Sequence, residues 1–105
     1  METYQGTRTP NGCQVTVSDG TARKRPLPLR LDLCNHSPTG FEWGYAGSGP
    51  AQLALALLAD ACESDDAALC HYQQFKRAVV AGLSASWTMT EGDIRRFVET
   101  QRDTQ

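Results

Sequence analysis

Residues 35–59 read NHSPTGFEWGYAGSGPAQLALALLA, and the character of the sequence changes at Gly49 within this segment. Before that glycine the residues are aromatic, polar and rich in glycine, as is typical of a loop. After it, Pro50 suits the first turn of a helix, and the leucines and alanines that follow are apolar on nearly every side. A helix of this kind must be buried on most of its surface, so we expect it to form the centre of the core.

The residues before this stretch alternate with a period of two, which is typical of β-strands. Cys13, Val15 and Val17 alternate with polar neighbours, and the pair Asp19 and Gly20 is a strong signal for a turn. We therefore expect strands to begin near residue 3.

Four leucines, at positions 27, 29, 31 and 33, lie on one face of the next segment if it is extended. Strict alternation of this kind predicts a strand with one face buried away from solvent. Pro26 and Pro28 cannot donate hydrogen bonds to a ladder, so we expect this strand to begin at an edge of the sheet. The strands then cover residues 3–33, and a loop follows over residues 34–49.

Beyond the loop, apolar residues recur at spacings of three and four, which predicts helices. They are expected over residues 50–61, 65–81 and 91–101. Ser48 or Gly49 can cap the first helix and Ser64 the second, while Thr90 and Asp93 resemble a capping box for the third.

This order of elements predicts an α+β fold, with a small antiparallel sheet of about three N-terminal strands followed by three helices packed on one face. With 105 residues, the chain has the usual length of one domain. We expect residues 1–105 to fold as a single domain.

Composition argues against several classes of protein. The formal net charge of −2 and the small basic run at residues 23–25 argue against a nucleic-acid binder, which needs clustered positive charge. No segment approaches the ~18 consecutive apolar residues of a membrane span, and the N-terminus lacks the features of a signal peptide. The sequence therefore predicts a cytoplasmic protein with no membrane partner.

The four cysteines, Cys13, Cys34, Cys62 and Cys70, form no C-x-x-C pair. In a reducing compartment this spacing favours free thiols over a disulfide framework, and it does not match a zinc ribbon. His36 lies close to Cys34 in sequence, but two candidate ligands do not make a metal site. We predict no bound metal and no cofactor.

Candidate site residues are concentrated in the loop. Phe41, Glu42, Trp43 and Tyr45 form either an exposed aromatic and acidic patch, or an extended segment that turns Phe41 and Trp43 inward and leaves Glu42 in water. The alternation of side chains favours the second arrangement. If the rings are buried, Glu42 needs a hydrogen-bond donor, or its pKa must rise.

His36 and Arg8 are the candidate donors to Glu42. His36 and Glu42 are also a candidate general acid–base pair.

Gly47, Ser48 and Gly49 lead directly into the first predicted helix. Backbone N–H groups at a helix N-terminus can bind an anion, but no Walker or dinucleotide-binding motif accompanies these glycines. We favour a structural role for them, in tight turns and in packing of the loop on the helix.

The segment HSPTGFEWGYAGSGPAQLALALLAD at residues 36–60, with the later segments YQQFKRAVVAGL and W-x-M-T-x-x-D-I and the N-terminal Tyr4, Gly6 and Arg8, resembles a family of small proteins. These are uncharacterised prokaryotic, phage and plasmid proteins classed as a domain of unknown function. The resemblance covers most of the chain and implies a recurrent compact module, often carried on mobile elements. It implies no reaction.

Two hypotheses follow for function. The first is a non-enzymatic binding protein of mobile-element type that holds a protein partner, for example as a modulator or inhibitor of a host or defence protein. Its binding residues are Phe41, Glu42, Trp43, Tyr45, Gly47, Ser48 and Gly49. The alternative is a small enzyme, or a protein that binds an anion or nucleotide, with its pocket at residues 36–49 and with His36 and Glu42 as the catalytic pair. The sequence leaves the oligomeric state open.

Overall fold

The computed structural model describes residues 2–21 and 23–103 of the chain. This part has an α+β fold, as predicted, with a small antiparallel sheet and three helices. The elements are β1 (Thr3–Thr9), β2 (Gly12–Ser18), β3 (Lys24–Pro26), α1 (Ser48–Cys62), α2 (Asp65–Ala78), a short 3₁₀ turn (Val80–Gly82), β4 (Ser86–Thr90) and α3 (Glu91–Asp103). The four strands are ordered β3-β2-β1-β4, and all neighbours are antiparallel.

The two faces of the sheet differ because successive side chains point to opposite sides. The inner face is buried together with the leucines of α1 in one hydrophobic cluster. Its members from the sheet are Tyr4, Val15, Val17, Trp87 and Met89. The other face carries uncharged polar side chains, among them Gln5, Thr7, Gln14, Thr16 and Thr88. The helices therefore cover only one face.

Helix α1 is the centre of the core, as its composition predicts. Its leucines at positions 53, 55, 57 and 58 have no exposed surface. The helix begins earlier than expected, at Ser48, and its N-cap is Gly47, which has no side chain to cap with. The prediction that Ser48 or Gly49 caps this helix is therefore wrong.

The other two helices begin where their capping residues predict. The Ser64 side chain accepts a hydrogen bond from the Ala67 N–H. Thr90 and Asp93 form a reciprocal capping box in which each backbone N–H donates to the other side chain, at 3.1 Å in both cases. Helix α2 ends at Ala78, and the 3₁₀ turn replaces the last turn that was predicted to reach residue 81.

The strand expected over residues 27–33 does not form. The N–H of Leu27 still donates to the Val15 carbonyl, but beyond it the chain leaves the sheet. Arg30 has a left-handed backbone, with φ of 57°, and its carbonyl accepts from the Leu33 N–H in a turn. The Leu29 carbonyl accepts a hydrogen bond from the side chain of Gln52 on α1. These leucines alternate in sequence, but their backbone is bonded to a turn and a helix instead of a strand.

A fourth strand, β4, was missed by the sequence analysis. It pairs with β1 from Thr3 opposite Thr90 to Thr7 opposite Ser86. Its short pattern, SWTMT, lies between two helical segments, and its partner is at the other end of the chain. Such non-local pairing leaves little signal in the strand itself.

A partly buried hydrogen bond joins the sheet to α1. The Tyr4 hydroxyl, on a side chain with no exposed surface, donates to Asp60 at 2.7 Å. Arg25 of β3 also donates to Asp60, at 2.9 Å, and to Glu2. Burial alone raises the pKa of Asp60, but the bonds from Tyr4 and Arg25 outweigh it, so the pKa lies below its usual value. The carboxylate therefore stays charged at this junction.

Candidate functional site

Residues 41–43 alternate between the core and the surface, and residues 44 and 45 are both exposed. Phe41 is 9% exposed and Trp43 is fully buried, whereas Tyr45 is 51% exposed. The side chain of Glu42 retains 41% exposure. The inward orientation of Phe41 and Trp43, which the alternation favoured, is the one observed, and the idea that all of these rings form an exposed patch is wrong.

Trp43 anchors the loop to the segment that precedes β4. Its indole N–H donates to the Ser84 carbonyl at 2.8 Å, and its ring meets that of Trp87 edge to face, with centroids 5.6 Å apart. The next residue, Gly44, donates its N–H to the Val80 carbonyl at 3.0 Å and has φ of 85°, which favours glycine. The loop is therefore held by both side-chain and backbone bonds.

Arg8, from β1, is the partner of Glu42. One of its guanidinium nitrogens lies 2.9 Å from the Glu42 carboxylate and 2.9 Å from the Trp43 carbonyl. The guanidinium also lies 5.3 Å from the centroid of the Trp43 ring, within range of a cation–π contact. The hydrogen bond from Arg8 lowers the pKa of Glu42 below its usual value. Glu42 is thus a paired carboxylate with no tendency to hold a proton near neutral pH.

The glycines next to this ion pair accommodate close contacts. A Cβ atom on Gly49 would lie 2.6 Å from the Cβ of Glu42, and one on Gly47 would lie 2.6 Å from the Tyr45 ring. Gly49 is buried and Ser48 is exposed. Because the Glu42 side chain occupies the space beside Gly49, the geometry favours the structural role of these glycines over an anion cradle.

His36 and Glu42 are not brought together as an acid and base, since each has different partners. His36 Nε2 lies 2.8 Å from the Tyr72 hydroxyl and 3.2 Å from Cys34 Sγ. We refer to Cys34, His36 and Tyr72 as the thiol cluster. All three residues are partly buried.

Gln52 of α1 holds the thiol cluster in place, and the sequence analysis missed it. Its side-chain oxygen accepts the N–H groups of His36 and Ser37, at 2.8 and 3.0 Å, and its nitrogen donates to the Cys34 carbonyl. Gln52 is fully buried. A single amide side chain in an otherwise apolar helix must find hydrogen-bond partners, because its burial without them costs free energy. The isolated glutamine in the apolar sequence of α1 was therefore the signal that could have identified Gln52.

Within residues 2–21 and 23–103, no group of three or more His, Cys, Asp or Glu side chains could hold a metal ion. None of the helices in this part of the chain has the length and apolar character needed to cross a membrane. None of the four cysteines, all of which lie among the described residues, forms a disulfide; Cys70 is exposed and the others are partly buried.

The chain matches a known family of proteins. A family model described as Family of unknown function (DUF6166) matches residues 4–100, so the chain belongs to that family. No curated protein and no solved structure matches the chain significantly. The matched range includes the loop, the thiol cluster and all four strands except the first residue of β1.

Proposed function

We propose that this protein is a non-enzymatic binding protein that holds a protein partner through an exposed patch on the loop. We define the patch as Tyr45, Arg8, Glu42 and Ser48. The observation that carries the proposal is that Tyr45 keeps half of its surface in water while its ring lies against Gly47. Tyrosine and arginine are among the residue types that dominate binding energy at interfaces.

The patch is rigid on its inner side, which supports a role in binding. Phe41 and Trp43, the neighbours of Glu42 in sequence, are buried, and the Arg8 guanidinium bonds to both Glu42 and the Trp43 carbonyl. Side chains that are already ordered lose little conformational entropy when a partner binds. A charged pair beside an exposed ring also gives a partner both an apolar contact and an oriented polar one.

The proposed partner is a host protein or a defence protein, which this chain modulates or inhibits in the cytoplasm. This part of the proposal is supported by the resemblance of the loop motif to proteins carried on phages and plasmids. It is also supported by the low net charge of −2, which argues against nucleic acid as the partner.

The experiment is an affinity capture from host lysate with tagged wild-type protein and a Tyr45→Ala variant, followed by mass spectrometry of the retained proteins. We expect a specific protein to be retained by the wild type and lost with the variant. Reconstitution of that complex from two purified proteins then gives the Kd of each form. We expect Tyr45→Ala to weaken binding by roughly 30-fold or more, the effect of losing an interface hot spot of ~2 kcal/mol.

Leu69→Ala is the matched control, because Leu69 is also a large exposed side chain, at 45%, and it lies on α2. The control should retain the partner as the wild type does. Equal retention by all three proteins, or equal loss with both variants, would contradict the proposal that the loop patch is the binding surface.

A second candidate function, reaction of the Cys34 thiol with an electrophile, is favoured by the geometry of the thiol cluster. Cys34 Sγ lies within hydrogen-bond distance of His36 Nε2, the arrangement in which an imidazole can accept the thiol proton while the sulfur attacks. Tyr72 is the third residue of the cluster: its hydroxyl lies 2.8 Å from the same Nε2 atom, and its ring centroid lies 5.4 Å from that of the imidazole.

Alkylation by iodoacetamide, followed site by site, tests this candidate. We expect Cys34 to react faster at neutral pH than the exposed Cys70, and His36→Gln to remove the difference. If Cys34 reacts more slowly than Cys70, or if His36→Gln leaves its rate unchanged, the thiol cluster is structural.

A further inference from the structure

The two edges of the sheet differ in chemistry. The outer strand at one edge, β3, consists of Lys24, Arg25 and Pro26, and both charge and proline protect an edge from pairing with another strand. The strand at the other edge, β4, reads SWTMT and contains neither a charged residue nor a proline. The usual protection against edge pairing is therefore present at one side of the sheet only.

The pairing of β4 with β1 shows which of its backbone groups face outward. The Arg8 N–H donates to the Ala85 carbonyl and the Glu91 N–H to the Glu2 carbonyl. Bonded residues alternate in an antiparallel ladder, so positions 85, 87, 89 and 91 face β1. Ser86, Thr88 and Thr90 face away from it, and the Thr90 N–H donates to Asp93 in the capping box.

The outward backbone groups of β4 lie at exposed residues. Ser86 and Thr88 are both exposed. Their N–H and C=O groups have no hydrogen-bond partner in β1, according to the register. They form a template for another extended strand.

An apolar groove runs along this edge. It has a volume of about 560 Å³ and lies between the end of α2, the strand β4 and the helix α3. Phe75, Val79, Met89 and Phe97 supply its apolar lining, and Asp93 and Arg96 supply charges of opposite sign. A strand added to β4 would border this groove.

We propose that the occupant of this edge is a second copy of the chain, which pairs its own β4 antiparallel to the first around a two-fold axis at Thr88. The two Thr88 residues then exchange backbone hydrogen bonds, and each Ser86 N–H donates to the Thr90 carbonyl of the other copy. The two four-stranded sheets become one continuous sheet. This inference goes beyond the proposed function, since it concerns a surface on other residues.

Self-pairing is favoured over a charged partner strand because β4 is uncharged. Like charges directly opposite each other destabilise a strand pair, and two copies of SWTMT bring none together. The same pairing at β3 would bring Lys24 and Arg25 towards their own copies. Asp93 and Arg96 give each groove one charge of each sign, which a two-fold arrangement can make complementary.

The test is the molar mass of the full chain by light scattering and sedimentation equilibrium over a range of concentrations. We expect the wild type to form a dimer, and Thr88→Pro to be a monomer. Proline removes an N–H that faces outward, so the bonds between β4 and β1 are kept. Thr88→Lys provides a second variant, which places like charges opposite each other at the proposed axis without changing the backbone.

Gln14→Lys is the matched control, since Gln14 is exposed on the same face of the sheet but lies on β2. It should remain a dimer, as should Tyr45→Ala, and circular dichroism checks the folding of every variant. A wild type that remains a monomer at high concentration overturns the proposal. A dimer that persists in folded Thr88→Lys overturns this interface.

Discussion

The segment 41–45 contains buried residues, which we call inner, and exposed residues, which we call outer. They have opposite environments although they are neighbours in sequence. Trp43 has no exposed surface and bonds to the Ser84 carbonyl, whereas Tyr45, two residues later, is 51% exposed. Glu42 lies between two buried rings and reaches the Arg8 guanidinium at the surface. One short loop therefore contributes both to the core and to a candidate binding surface.

The aromatic residues of the loop therefore do not act as one group. Burial fixes Phe41 and Trp43, so substituting them tests the stability of the fold. Exposure leaves Tyr45 free to contact another molecule, so substituting it tests function. Predictions about the inner and outer residues can therefore be separated by measuring stability and binding on the same variants.

Trp43→Ala should have the largest effect on stability. It removes a fully buried ring, its edge-to-face contact with Trp87 and its hydrogen bond to Ser84. We expect a loss of about 3–5 kcal/mol in the free energy of unfolding, measured by chemical denaturation. A loss below ~1 kcal/mol would mean that the loop does not contribute to the core.

Gly49→Val should have the next largest effect. A Cβ atom at this position would lie 2.6 Å from the Cβ of Glu42, so the loop must move away from α1. We expect a loss of about 1–3 kcal/mol in the free energy of unfolding.

Gly82→Val is the control for Gly49→Val, because a Cβ on Gly82 meets no atom within 4 Å. The control should be destabilised much less. Similar losses for both variants would show that the general cost of replacing glycine, and not the contact with Glu42, determines the result.

Glu42→Gln should have a smaller effect that depends on pH. Since the bond from Arg8 lowers the pKa of Glu42 in the folded protein from its usual value of 4.5, the charged form stabilises the fold above that value. This contribution is lost as the pH falls through the lowered pKa. The stability of the wild type should therefore exceed that of Glu42→Gln at pH 7 and approach it in acid. A difference that does not change between pH 7 and pH 3 would contradict the assignment to the ion pair.

Tyr45→Ala should have the smallest effect on stability. Its side chain is half exposed, and we expect a change within about 0.5 kcal/mol in the free energy of unfolding. The same variant is expected to lose the partner in the affinity capture. A large loss of stability would show that the Tyr45 ring packs as part of the fold, and the distinction between inner and outer residues would no longer hold.

The sequence predicted the elements that carry their own local signals. Ser64 caps α2, Thr90 and Asp93 form the capping box of α3, and the leucines of α1 are buried. In each case the sequence signal lies within a few residues of the feature that it predicts, so the local pattern is sufficient to predict that feature. Arg8 was one of the two candidate donors to Glu42, although the favoured arrangement placed Glu42 in water.

Residues 27–33 and β4 show where local patterns are insufficient. The leucines of the first segment alternate as in a strand, but their carbonyls and N–H groups are taken by Gln52 and by a turn at Arg30. Ser86–Thr90 has a weaker pattern, yet it forms a strand because the edge of β1 is open to it. A strand requires a partner as well as a pattern, and the partner is distant in sequence.

Local sequence patterns were enough to predict the α+β class, the buried central helix and the starts of α2 and α3, because hydrophobic periodicity and capping act over a single turn or strand. Tertiary packing is what pairs Arg8 with Glu42, brings Cys34 and Tyr72 to His36, and adds β4 to the sheet. Each of these contacts, apart from the one between Cys34 and His36, joins residues from separate elements. Their geometry is set by how the sheet, the loop and the helices pack around α1.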